Sequence, residues 1–537
     1  MTTPAGITSA RSNETSLCHE RTMRSDHFLP GCIRTSLLVV AIIALGAAAA
    51  CDEGSGSGSR SDASGNLGQS SSGGPNEPGP DGAGGASSSS GSSGSPDGGG
   101  DPGTPAVPYV DFAVNHVLIT GQSNSVANSG TPVLSTAQPF SNVMFDTGVM
   151  PMKQCDGAGC RAFDPPSSFV PLVEGDFFFG YGVETSAAGV ANEITLLAKQ
   201  RYQGVVQGLP ADRDHSVLVS LHGRSGNTYW CLRKGGCNYK PGYVSPFEQG
   251  MMEVEAAKNI AAAANKSYVV RAVAAIHGES DHYSYTEGSQ EFPIAGSDGT
   301  PGQVQTYADG LIEWQADYET GIKAITGQTL PVPLFISQIS GWNDTQYSKV
   351  AQFQLEAHER APGKVVLVGP SYQLPTDQND CRHFTNHGQR RLGEYFAKVY
   401  ARVVFEGKSW EPLRPKAVTR DGAAITVTFH VPAPPLVIDT QRVAEVASYG
   451  FTYTDGSGAP PAITSVDVTG PDTVKITLAS PPTGAQKRLL YAQNQVPLTC
   501  IGTPFGARGN LRDSDASPSQ YGYDLHNWAV NFDVAVP

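Results

Sequence analysis

Val117-Leu118-Ile119-Thr120-Gly121-Gln122-Ser123-Asn124 is the stretch on which the reading of the chain turns. Three apolar residues and a threonine form a buried strand, which runs straight into a small polar turn. Open α/β sheets display reactive groups outside the carboxyl ends of their strands, so Ser123 is a candidate for chemistry. Taken alone it is equally well explained as a turn former or a helix cap. The loops that share its edge decide.

Four more apolar, β-branched runs follow, at residues 216–221, 268–276, 333–340 and 364–368. Helical patterns separate them at 247–265, 304–326, 345–360 and 386–404. Strands alternating with helices predict a parallel sheet covered on both faces, with its chemistry in the loops at the strand carboxyl ends. Three of those loops are polar and carry glycine: His222-Gly223-Arg224-Ser225-Gly226, His277-Gly278-Glu279-Ser280-Asp281 and Asp380-Cys381-Arg382-His383. Acyl transfer needs a hydroxyl nucleophile, a base, a carboxylate to orient the base, and N–H donors for the oxyanion. All four types are present on this edge.

Gly121-Gln122-Ser123-Asn124, Gly223-Arg224-Ser225, Gly278-Glu279-Ser280-Asp281 and Asp380-x-x-His383 resemble, in order, the blocks of the SGNH hydrolases. The branch they resemble contains the sialate O-acetylesterases and plant-type carbohydrate acetylesterases, and the likeness covers roughly residues 115–405. It implies a three-layer, flavodoxin-like α/β sheet and a cofactor-free, metal-free ester hydrolase. Carried over by position, Ser123 is the nucleophile, His383 the base and Asp380 its orienting carboxylate. The oxyanion donors are the amides of Ser123 and Gly223, with His277 where the family carries glutamine. Gln122, Asn124, Glu279, Trp230 and Tyr283 are the expected substrate contacts. His387 competes with His383, but the three-residue spacing from Asp380 favours His383.

Other readings of the same residues are weaker. Glu279 and Asp281 could form the carboxylate pair of a glycosidase, although holding the loop is the simpler role. No G-x-S-x-G elbow occurs in the globular part, which disfavours an α/β-hydrolase. Tyr229, Trp230, Tyr239, Tyr283, Tyr285, Trp342 and Tyr372 cluster in these loops and could stack on sugar rings or serve as core. Residues 144–178, rich in Pro, Gly and Phe, form an expected insertion that could roof the cleft.

The flanking regions set the organisation. Arginines, then an apolar run at 36–46, then small residues ending at Cys51 predict an export signal over residues 1–51. The small residues before Cys51 resemble the lipobox of bacterial lipoproteins, implying a membrane anchor at that cysteine. Residues 52–108 are nearly all Gly, Ser, Pro, Asp and Asn, a composition that buries no core and makes a flexible tether. The α/β part spans 109–405. From 406 to 537 short alternating strands, such as 423–429, 473–478 and 488–491, predict a smaller all-β, sandwich-like domain. The formal net charge of −14 and the lack of a basic patch exclude nucleic acid as a natural partner. Of nine cysteines, Cys155 with Cys160 and Cys231 with Cys237 are expected short-loop disulfides in an exported chain. Cys381 and Cys500 remain without an assigned pairing. The expected function is an exported esterase acting on acylated, chiefly acetylated, carbohydrate; the alternatives are a lipid or short-chain esterase and a non-catalytic glycan-binding protein.

Overall fold

The structure, a computed structural model, describes residues 112–151, 155–156, 159–160, 163–178, 181–203, 209–237, 244–286, 292–341, 348–379, 382–493 and 507–537. The expected signal, anchor and tether all lie outside these residues.

In chain order the α/β part comprises β1 (Val114–Gly121), β2 (Val143–Phe145), β3 (Phe169–Pro171), α1 (Ala187–Tyr202), β4 (Val217–Leu221), α2 (Pro246–Ala263), β5 (Tyr268–Ile276), α3 (Glu279–Thr286), α4 (Tyr307–Thr326), β6 (Leu334–Gln338), α5 (Lys349–Arg360), β7 (Val365–Pro370) and α6 (Asn386–Tyr400). All five predicted strands are present. One seven-stranded sheet runs β7-β6-β5-β1-β4-β2-β3, with every pair parallel except β2 with β3. Its central five strands follow the flavodoxin-like order 2-1-3-4-5. The first strand therefore lies between the second and third, at the point where chain direction across the sheet reverses. Every residue of β1 is buried, which explains why its sequence runs apolar instead of alternating.

The described strands of the expected insertion extend the sheet. Its strands β2 and β3 add to the edge beside β4, and the Leu221 amide donates to the Val149 carbonyl.

Helix α1 had no counterpart in the sequence reading. Ala187-Ala-Gly-Val-Ala-Asn-Glu-Ile-Thr-Leu-Leu is buried almost all round, so it has no polar face to set up a 3.6-residue period. It packs on α6 through glycine. A Cβ on Gly189 would lie 2.1 Å from the Arg390 carbonyl oxygen, and one on Gly393 would lie 2.4 Å from that of Ser186. Only bare backbone allows the two helices to approach this closely.

The C-terminal region holds β8 (Arg414–Asp421), β9 (Ala424–His430), β10 (Phe451–Thr454), β11 (Ile463–Val468), β12 (Thr473–Leu478), β13 (Arg488–Tyr491) and β14 (Phe532–Ala535). They form a four-stranded antiparallel sheet, β8-β9-β12-β11, and a three-stranded one, β10-β13-β14. Phe429 of one sheet meets Phe532 of the other at 6.2 Å between ring centroids, the interleaving of inner faces expected of a sandwich. This region is not a detached module. Asn531 exchanges hydrogen bonds with Gln338 at the end of β6, the Tyr372 hydroxyl donates to the Ala529 carbonyl, and the described residues form one compact unit.

Candidate active site

The turn after β1 is built by its neighbours. Gly121 has φ +137°, and a Cβ there would lie 2.1 Å from the Ile276 carbonyl oxygen, so only glycine lets β1 end this close to β5. The Gln122 amide donates to that same carbonyl, and its side-chain oxygen accepts from the amides of Gly278 and Ser280. Asn124 reaches two loops at once. Its Nδ2 donates to Glu279 Oε1, its Oδ1 accepts from the Phe384 amide, and its backbone carbonyl accepts from Gln389 of α6. The turn carrying Ser123 is thus fastened to the Glu279 loop on one side and the His383 loop on the other. No regular helix follows Ser123; an irregular turn presents it.

Gly223 closes the other flank. A Cβ at this position would sit 2.0 Å from Ser125 Oγ and 3.0 Å from the Gly121 carbonyl oxygen. The missing side chain lets the Gly223 backbone lie directly against the Ser123 turn. The neighbouring amides of His222 and Arg224 donate to the carbonyls of Ile119 and Gly121. Among the described residues, neither the Ser123 amide nor the Gly223 amide donates a hydrogen bond, and the Ser123 hydroxyl has no partner. Backbone amides near the sheet centre rarely go unpaired. Two free amides on adjoining loops are the kind of donor set that can hold a tetrahedral oxyanion.

His383 is half-buried in the loop that Asn124 ties down through Phe384. Its Nε2 lies 3.4 Å from Asn128 Nδ2, and Asn128 belongs to the Ser123 turn through its amide, which donates to the Ser123 carbonyl. The His383 loop and the Ser123 turn therefore meet. Thr385 caps α6 immediately afterwards, its Oγ accepting from the Gly388 amide, which anchors the loop. Asp380, the expected orienting carboxylate, lies outside the described residues. His387 stands on α6 with its Nδ1 on the Tyr523 hydroxyl, so the tethers favour His383.

The structure corrects the assignment of His277 as third oxyanion donor. The ring is fully buried, stacked on Tyr307 and edge-on to Trp314. Nε2 contacts the Asn227 carbonyl at 3.1 Å and Nδ1 the Tyr307 hydroxyl at 2.7 Å. A carbonyl can only accept, so Nε2 carries the proton and Nδ1 accepts from tyrosine. Burial pushes the imidazole pKa down to about 4, which leaves the ring neutral and both of its nitrogens occupied. His277 is a core residue.

Three expected substrate contacts are likewise internal. Gln122, Asn124 and Glu279 are buried, and their bonds hold loops together. Burial raises the Glu279 pKa, against the opposing pull of the Asn124 hydrogen bond and the His383 and Arg382 charges. Trp230 and Tyr283 remain half-buried; Trp230 lies under the Arg233 guanidinium at 4.4 Å. Tyr229 and Tyr372 are core, while Tyr239 and Trp342 lie outside the described residues. The Cys231–Cys237 disulfide is formed. Cys155 and Cys160 are opposite one another in a short antiparallel pair, with their side chains outside the description. No cluster of His, Cys, Asp and Glu among the described residues could hold a metal ion.

The sequence reading missed Asn128, Tyr181 and Gln389. Asn128 lies five residues beyond the serine in an irregular turn, where no spacing rule reaches it.

No family model and no curated protein matches the sequence. Among solved structures the chain is similar to a carbohydrate acetylesterase from Xanthomonas citri, at 14% identity over 78% of this chain and 80% of that one, with a TM-score of 0.44. It is also similar to a carbohydrate acetylesterase from Sinorhizobium meliloti, at 12% identity over 53% of this chain and 98% of that one, TM-score 0.26. The aryl esterase of M. smegmatis is similar at 12% identity over 53% of this chain and 97% of that one, TM-score 0.26.

Proposed function

We propose that this protein is an esterase that removes acyl groups, chiefly acetyl, from carbohydrate through a serine acyl-enzyme. One observation carries the reading: among the described residues the Ser123 hydroxyl and the amides of Ser123 and Gly223 have no hydrogen-bond partner, Gly223 packs on Gly121 and Ser125 of the Ser123 turn, and that turn is tied to the His383 loop. His383 Nε2 takes the Ser123 proton as Oγ attacks the ester carbonyl. The oxyanion is held by the two amides. The imidazolium then protonates the departing sugar oxygen, and water, activated by the same nitrogen, releases the acid. Asp380 would orient the imidazole from Nδ1. Acetylated sugar as substrate rests on the resemblance of the four blocks, and export with attachment at Cys51 rests on the N-terminal sequence pattern.

The test is hydrolysis of p-nitrophenyl acetate and acetylated xylan by the mature protein and its Ser123→Ala and His383→Ala variants. Each substitution is expected to lower kcat by at least about 10⁴-fold while leaving thermal unfolding within a few degrees. Wild-type turnover no greater than that of the variants on both substrates would refute the proposal.

A further inference from the structure

Asn128 sits between the two halves of this machinery, and the backbone goes to some length to hold it there. Its neighbours Ala127 and Ser129 both adopt positive φ, +56° and +79°. That conformation is unfavourable for residues with a Cβ and is retained where surrounding structure enforces it. The enforcement is visible. Ala127 is completely buried, the Asn128 amide donates to the Ser123 carbonyl, and the Gly130 amide donates to the Ala127 carbonyl. The side chain is gripped at its other end, because the Tyr181 hydroxyl donates to Oδ1 at 3.3 Å. With Oδ1 turned toward Tyr181, the Nδ2 hydrogens face His383 Nε2 at 3.4 Å.

The consequence is chemical. Nε2 is the nitrogen that must return a proton to the departing oxygen of the ester. An oxygen hydrogen-bonded to Nε2 at about 2.8 Å can lie within about 3 Å of Nδ2 at the observed separation. The carboxamide is then a second donor to the same atom. Resting on the esterase reading above, we propose that Asn128 is the leaving-group contact, a catalytic residue that stabilises the departing sugar oxygen. As the bond from carbonyl carbon to sugar oxygen breaks, the electron pair stays on that oxygen. His383 transfers the proton, and Asn128 donates a hydrogen bond without transferring one. In deacylation the same N–H faces the attacking water. Tyr181 acts through Asn128 as a positioning residue.

Leaving groups differ in their need for this donor. p-Nitrophenolate departs readily as the anion, whereas a sugar alkoxide is a strong base. Asn128→Ala and Tyr181→Phe should therefore be compared with wild type on p-nitrophenyl acetate and on an acetylated methyl glycoside. For Asn128→Ala the expected loss in kcat/KM on the glycoside is about 30- to 100-fold, at least tenfold greater than the loss on the aryl ester. Tyr181→Phe should show the same bias at about three- to tenfold. Equal losses on both esters, or no loss on the glycoside, would overturn the assignment. If Asn128→Ala does not fold, the presence or absence of bias in Tyr181→Phe decides. Wild-type inactivity on both esters would instead condemn the esterase reading itself, so the two failures are distinguishable.

Discussion

The carboxyl edge of the sheet and the seam between α1, α6 and the C-terminal segment are both crowded with polar groups, yet they treat them oppositely. At the seam, Glu394 accepts from the Ser519 hydroxyl and the Tyr521 amide, and Glu193 accepts from the Gln520 amide. Lys398 pairs with Asp515 at 2.7 Å and donates to Asn527. At the edge, the hydroxyl of Ser123 and the amides of Ser123 and Gly223 have no partner among the described residues. At the seam the polar groups largely bond one another, with Glu193 Oε1 a buried exception, whereas at the edge a hydroxyl and two amides stay available. His277 belongs by position to the edge and by bonding to the interior. That is why its location in the sequence misled.

The difference can be attacked directly, beginning at the edge. Replacing Gly223 with alanine forces a methyl group against Ser125 Oγ, and the amide proposed to hold the oxyanion must move to make room. The expected loss is about 10²- to 10³-fold in kcat, the range for removing one oxyanion donor, with KM changed by less than about threefold. Steady-state kinetics with thermal unfolding as control reads this. An unchanged kcat would remove Gly223 from the oxyanion site.

His277→Phe probes the residue whose two affiliations conflict. Removing the imidazole leaves the Tyr307 hydroxyl and the Asn227 carbonyl without their buried partner, which costs about 1–3 kcal/mol in stability. Activity per folded molecule should stay within about tenfold of wild type. The pH dependence carries a sign. The folded-state pKa of about 4 lies below the ordinary 6.5, so between these values the unfolded chain binds a proton that the native state refuses. Stability is therefore lost as pH falls through that window. The variant should show a shallower decline in Tm between about pH 6.5 and 4. A 100-fold loss of kcat with unchanged stability would restore His277 as an oxyanion donor.

The strands and the turn that carries Ser123 were legible because they leave strong local marks. Buried parallel strands write continuous apolar runs rich in β-branched residues, such as Val365–Val368, and a tight turn packed against a neighbouring strand needs small residues at fixed places. Helix α1 was illegible because burial on all sides removes the periodicity by which helices are read. The partners of Gln122, Asn124 and His277 were illegible for another reason. Whether a polar side chain meets a substrate or a neighbouring loop depends on contacts such as Asn124 with Phe384, 260 positions apart, and no local pattern encodes them. Motif resemblance located the edge, but hydrogen-bond accounting was needed to separate Ser123 from His277 on it.

The smallest effect is expected at the seam, and it runs in the unusual direction. Burial, then the neighbouring Glu394, raises the Glu193 pKa to about 8, and burial raises that of Glu394 to about 7. Both lie above the ordinary 4.5, so between about pH 4.5 and 8 the native state retains protons that the unfolded chain releases. Stability must then fall as pH rises through that window. Glu193→Gln keeps an acceptor for the Gln520 amide and removes the charge. The variant should unfold a few degrees higher than wild type at pH 8, with the gap closing toward pH 5, and should keep its esterase rate because the seam is not the edge. Scanning calorimetry across this range checks the slope. A wild-type Tm that rises with pH while Glu193→Gln destabilises equally throughout would mean the pair is ionised and held by Lys398, and the seam would then be an ordinary ion cluster.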